Sequence, residues 1–455
     1  MNNLYDPNPI HTVYCTDKFY NKRDRAQMSI HLSPYYQHTS SASKAGGGKV
    51  TAGSIYGPWN MLGIFFNPAG SFTGAAKTAK TDVSKLKSTN ITKSDLTLEA
   101  NYNPGGDQKD NAAIVAALFD KTTTPVTSTS TTEGDTTTET TFVDNNVRVE
   151  YEKSGLRGQL SYDVAMGLGV AVKGGVVNYR NKPIFPGIKA ETLGSEATDP
   201  DKAANEIKKI LMTKSQCEAI AKTFEINLSE QHKVDMEDVH VSIYWHMPLK
   251  FREKGESAFT MIPFLSVGAW LPLAEDADQN KIFLLSTGNN GFAALTLDGS
   301  LNFDFPRSVQ IGFGGGAVLS TSRELKNQRV PTSVHQVGLI PWRTNISKTP
   351  GTVWYMNVSF KADNFSPGFS FYFDYLFTEH LQDEISIKET NSALKKLFLP
   401  EELEKRSSWK AQQINAGLKY DLTKNCSLGL AVQGYIGGEK TYRSTTALGS
   451  LMVVF

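Results

Sequence analysis

The feature that most constrains this chain is a period-two alternation of apolar and polar side chains that recurs along nearly its whole length. Such alternation marks strands buried on one face. The clearest case is 238–250, where Val239, Val241, Ile243, Trp245, Met247 and Leu249 oppose His240, Ser242, Tyr244 and His246. At 27–37, Met28, Ile30 and Leu32 oppose Ser29, His31 and Ser33. Comparable segments are 146–163, 167–179, 257–271, 291–305, 308–319, 352–362, 368–378, 409–421, 426–437 and 441–455. In 146–163 the apolar side changes from Val147, Val149 and Tyr151 to Leu156, Leu160 and Tyr162, which predicts a bulge at Ser154-Gly155. Lys, Arg, Asp and Glu are nearly absent from the apolar faces.

Alternation alone also fits a soluble sandwich, so the connections decide. Short turns at Asp163–Met166, Phe251–Glu256, Pro306-Arg307, Asp363–Pro367 and Leu422–Asn425 alternate with long or polar connections at 38–145, 180–237, 272–290, 320–351 and 379–408. A brief one lies at Gly438–Lys440. Short turns at one end and long loops at the other describe an all-β, single, antiparallel up-and-down transmembrane barrel with periplasmic turns and extracellular loops. Twelve strands are expected, or fourteen if 57–67 and 94–103 also cross. The barrel then occupies 27–455, preceded by a periplasmic or lumenal segment, 1–26. The long loop 38–145 carries a Thr-rich tip at 122–141. Helical patterns at 202–224 and 388–406 fall inside outer loops.

Bulk properties agree. No run of about 18 apolar residues exists, so no transmembrane helix is expected. A mean hydropathy of −0.31 is compatible with a barrel, because its strands are only half apolar. A net charge of +1 gives no basic field for nucleic acid. Cys15, Cys217 and Cys426 form no CxxC motif, so no zinc or redox site is expected. The N-terminus, MNNLYDPNPIHTVYCTDKFYNKRDR, has no apolar h-region. A bacterial outer-membrane location therefore requires an export signal removed ahead of this numbering, or replaced by a start Met.

The C-terminal strand TALGSLMVVF ends in Phe455 and resembles the terminal strand that the barrel-assembly machinery recognises in Gram-negative outer-membrane proteins. SYDVAMGLGVAV and KYDLTKNCSLGLAV look like the strand–turn–strand phrases of such porin-like barrels. Phe66-Asn67-Pro68-Ala69-Gly70 resembles the NPAG element of outer-membrane long-chain fatty-acid transporters, where it belongs to an N-terminal hatch; here a strand precedes it. That resemblance implies a plug or hydrophobic patch at Trp59, Phe65, Phe66, Asn67 and Pro68.

The polar faces supply the candidate pore-lining residues: Arg157, Asp163, Lys173, His240, His246, Asp298, Asp304, Lys361, Asp374 and Lys419. They either set the charge and width of a pore or merely solvate its interior. His240 and His246 lie ~20 Å apart at ~3.3 Å per residue, too far to share a metal. Ala45-Gly46-Gly47-Gly48-Lys49-Val50 lacks the Ser/Thr of a phosphate loop, and the glycines at 312–316 are followed by no helix. No GxSxG or HExxH motif marks an enzyme.

The expectation is passive passage of small solutes through a polar, loop-constricted lumen, with no cofactor. Two alternatives stand beside it. One is a plugged transporter of hydrophobic compounds, favoured by inward Ile262, Phe264, Trp270, Met452 and Val454. The other is a structural or adhesive surface protein. Expected partners are the bilayer, lipopolysaccharide, the assembly machinery and a small-molecule solute; a homo-oligomer is left open.

Overall fold

The computed structural model describes residues 27–57, 59–60, 127–129, 138–140, 144–145, 147–165, 167–185, 218, 221–222 and 224–455, apart from 254–255, 277, 307–308, 333–335 and 391. Twelve strands form the wall: β1 (Gln27–Thr39), β2 (Arg148–Ala165), β3 (Leu168–Ile184), β4 (Val239–His246), β5 (Glu256–Leu271), β6 (Ala294–Phe305), β7 (Val309–Ser320), β8 (Val353–Ser366), β9 (Phe369–His380), β10 (Trp409–Thr423), β11 (Cys426–Glu439) and β12 (Thr445–Val454). Each pairs antiparallel with its sequence neighbour. The cylinder closes where β12 pairs β1, Leu451 opposite Leu32 and Thr446 opposite Gln37. Closure removes the free edge whose unpaired backbone groups would find no partner in lipid.

The fourteen-strand alternative is excluded, because β1 pairs β2 directly from Gln27–Asp163 to Thr39–Tyr151. Of its two extra segments, only Trp59-Asn60 is a described strand, a two-residue one paired outside the barrel with Asp144-Asn145; 94–103 lies outside the described residues. The wall nevertheless has fourteen strand segments, because the fourth crossing is broken into Gln231–Met236, β4 and Leu249–Glu253.

The faces follow the alternation. Leu160, Val172, Ile243, Leu265, Leu297, Phe313, Val358, Phe373, Leu418 and Leu430 point out and are exposed, forming the lipid-facing belt. The residues between them point into the bore. One expectation fails. No bulge occurs at Ser154-Gly155: β2 pairs β1 and β3 without a shift there, and Val147, Val149 and Tyr151 are buried on the inner side with Arg157. The strand simply outruns the bilayer. Above the belt, water covers the outside, so Arg148 and Glu152 face out, while loops cover the inside and demand apolar side chains.

Those loops make a cap. Ala52, Ile55 and Trp59 from the first loop, Phe224–Leu228 from the second, Ile282–Leu285 from the third and Leu339 from the fourth pack against Val147, Val149, Tyr151, Tyr179 and Tyr442. A second cluster lies beside a three-stranded sheet, Arg323–Arg329, Arg343–Thr349 and Glu384–Ile387. It also holds Leu403 of helix α1 (Pro400–Ser407), which has Pro at its first position, Glu401 and Glu402 in the first turn and Lys405 and Arg406 in the last, as the helix dipole favours. This helix overlaps the expected 388–406 pattern; of 202–224, the helical residues described are 218, 221 and 222. The glycine run at 46–48 closes a hairpin between 41–43 and 49–51, where Gly46 and Gly47 adopt φ of 77° and 84°. Segment 1–26 and Phe65–Pro68 lie outside the described residues.

Candidate functional site: the polar bore

Every predicted pore-lining residue sits on an inward-facing position, yet they do not converge on one constellation. Arg157 is buried and makes a bidentate pair with Glu237, Nε and Nη2 each 2.7 Å from a carboxylate oxygen. Tyr35 donates its hydroxyl to Glu237 at 3.0 Å, and its ring lies 4.3 Å from the guanidinium carbon. Glu237 reaches inward from the break in the fourth crossing, where its own N–H bonds Gly175 O. At the same break, Asp238 accepts the N–H groups of Leu273 and Ala274 at 3.0 Å and of Asn289. The break thus ties the wall to the third loop. Lys173, half-buried, stands opposite His240. His240 contacts Thr296 Oγ1 at 2.8 Å and lies 4.6 Å from the Trp270 ring.

The other charged positions are spread round the wall. Asp298 on β6 accepts the Tyr355 hydroxyl. Asp374 on β9 accepts one amide proton each from Asn357 and Asn415, both at 3.0 Å. Near the periplasmic rim, Asp163 accepts the Tyr244 hydroxyl, with His246 beside that ring. Lys361 and Lys419 pair with Asp363 and Asp421, two residues along their own strands, at 2.8 and 3.1 Å. Asp304 faces Gln310 across the β6–β7 ladder.

Glycine shapes the wall between these groups. Gly312, Gly314 and Gly316 on β7 point inward, and the side chains of Asn302, Ser359, Asn357, Tyr355 and Asp298 lie where their Cβ atoms would be. In the same way, the Tyr244 ring covers Gly169 and the Tyr372 ring covers Gly417, so long side chains lie flat against the wall instead of crossing the bore.

Above the bore, the cap is held by buried charge. Arg329 donates to Gln279 O, Ile340 O, Pro341 O, Phe224 O and Asn280 Oδ1, at 2.9–3.1 Å, tying three loops together. Burial, helped by Arg343 nearby, brings its guanidinium down to about 10. Lys348 pairs with buried Asp383 at 2.8 Å, and burial lowers its ammonium pKa despite the carboxylate. Trp59, expected in a plug, is a cap residue: its ring stacks on Phe283 at 5.3 Å and its Nε1 donates to Gly53 O. Phe455 is exposed at the periplasmic end of the seam, its N–H bonded to Met28 O.

Glu237, Arg329 and the Lys348–Asp383 pair were not singled out from sequence. The adjacent carboxylates Glu237-Asp238, set between Met236 and Val239, were the one available signal, since they interrupt an alternating run.

A closed even-numbered wall, an apolar belt, a polar bore and long loops at one end define the class: an integral β-barrel of the bacterial outer membrane. No protein-family profile matches the sequence, and no curated protein sequence does. Among solved structures, an outer membrane channel from Pseudomonas putida F1 is similar at 9% identity, over 96% of this chain and 100% of that one, with a TM-score of 0.46. The transport unit of the autotransporter AIDA-I from Escherichia coli aligns at 9% identity over 99% and 98%, with a TM-score of 0.34. A Pseudomonas aeruginosa FadL homologue aligns at 10% identity over 94% and 89%, with a TM-score of 0.24. The class assignment rests on the barrel's own geometry.

Proposed function

We propose that the barrel is a channel for passive passage of small polar solutes, narrowed at its extracellular mouth by the cap. The observation that carries this reading is the inner face: polar or glycine positions on all twelve strands, including Ser33, Ser242, Thr296, Asn302, Asn357 and Gln413. A purely structural barrel has no need of hydrogen-bonding groups along its whole bore. The expected partners are the bilayer, with lipopolysaccharide at the outer rim, and a solute; the activity is passage, not catalysis. Proteoliposome swelling tests it. Liposomes bearing the refolded protein should swell in small neutral solutes at rates that fall with solute size, and swelling no faster than empty liposomes would overturn the proposal.

A second reading, a transporter of hydrophobic compounds, draws on buried inward Ile262, Phe264 and Trp270 on β5 beneath the aromatic cap. It predicts binding of a fluorescent fatty acid, with no swelling.

A further inference from the structure

The ladder registers place a single row of polar side chains across most of the bore. On β8, Ser359 stands opposite Asp374 of β9, which stands opposite Asn415 of β10. Asn415 faces Gln433 of β11, Gln433 faces Thr446 of β12, and Thr446 faces Gln37 of β1. The row extends past Gly312 to Asn302 on β6 at one end, and to Lys153 on β2 at the other. Because barrel strands tilt, positions directly opposite one another climb as they go round. The row is therefore a spiral from the periplasmic half of the bore toward the cap. Directly opposed side chains on an antiparallel sheet are about 5 Å apart, so each step lies within reach of the next.

We infer that this spiral is a binding track for neutral, hydroxyl-rich solutes of the oligosaccharide kind. The inference rests on the channel reading and names its substrate class. The chemistry of the row selects the class. Carboxamides present a donor and an acceptor in one plane, and hydroxyls do both, so the row matches a ligand whose every hydroxyl also donates and accepts. Its single carboxylate, Asp374, already accepts from two amides, which blunts its pull on cations. Between Ser359 and Gln37 the row holds no base to attract anions. Among the described residues, two of its members also carry buried atoms with no hydrogen-bond partner, Asn415 Oδ1 and Thr446 Oγ1, as does the neighbouring Gln413 Nε2. Unpaired buried polar atoms are costly, and a hydroxylated solute would satisfy them.

The test is maltotriose added to single channels of the refolded protein in a planar bilayer, with calorimetric titration of maltotriose into the same protein in detergent. The track predicts saturable interruption of the current. The half-blocking concentration should rise about tenfold in Asn415→Leu and in the near-isosteric Thr446→Val. Gln310→Leu, which faces the bore off the row, should stay within twofold. Current that responds to the sugar only through solution viscosity, or block by organic cations and not by sugar, would overturn the track while leaving the channel standing. If the channel is silent, calorimetry decides: saturable heat lost in Thr446→Val supports the track without the channel, and no heat overturns it.

Discussion

The depth at which a residue crosses the membrane can be read from one strand. On β11, Leu430 is 73% exposed and Ile436 49% exposed, both on the outer face. Six residues separate them, about 20 Å along the strand at ~3.3 Å each. With a strand tilt of roughly 40°, that is about 15 Å along the membrane normal, more than half of a ~25 Å apolar belt. Leu430 lies close to mid-belt, and Ile436 near its extracellular edge, three residues before Glu439 ends the strand. An arginine facing lipid costs about 2–4 kcal/mol at the midplane and about 0–1 near an interface. Leu430→Arg should therefore reduce the folding equilibrium constant roughly 30- to 850-fold, and Ile436→Arg by no more than about fivefold. Denaturant titration in phospholipid vesicles, read by tryptophan fluorescence and by heat-modifiable gel mobility, measures both. Equal costs at the two sites, or no cost at Leu430, would refute the placement of the belt.

Other expectations follow from buried charge and from glycine. Asp383→Asn removes the carboxylate opposite buried Lys348 and should destabilise the cap by about 3–5 kcal/mol, seen as faster protease cleavage of the outer loops; Lys348→Met added to it should restore most of the loss. Glu237→Gln weakens the bidentate hold on Arg157 and should lower the barrel's denaturation midpoint, whereas Glu230→Gln, whose partner Arg180 is solvent-exposed, should leave it almost unchanged. Gly314→Val puts a side chain where Asn357 lies, and should cost about 1–3 kcal/mol and reduce channel conductance. Arg329 has a lowered folded value of about 10, so the folded cap binds fewer protons than the unfolded cap. Its burial penalty is in full force below pH 10 and is relieved as the pH rises above it, where the unfolded guanidinium is still charged. Cap melting followed by tryptophan fluorescence should shift upward, not downward, as the pH rises through 10.

The wall was legible because lipid leaves one solution: an apolar outer face on every strand, hence a period that survives from Met28 to Val453. Strand ends were legible where a short turn fixed them, as at Pro306 and Asn425, but not at the turn expected over Asp363–Pro367, where β8 runs on to Ser366. What escaped were the places where that solvent logic stops. Val147, Val149 and Tyr151 obey a cap rather than a bilayer, so their parity looked like a bulge. The break at Glu237-Asp238 serves contacts with residues tens of positions away, Arg157 and Leu273 among them. The polar row is invisible to any local pattern, since its members are joined only by inter-strand register. Arg329 could not be distinguished from any loop cation, because its acceptors are mostly backbone carbonyls, drawn from three separate loops.

Single-channel recording of the refolded protein tests the central claim most directly. Long-lived, discrete current steps in a planar bilayer, reduced in Gly314→Val, are the predicted result. An inserted barrel, confirmed by its gel mobility, that passes no current under any applied voltage would contradict the account of this bore as a path for solutes.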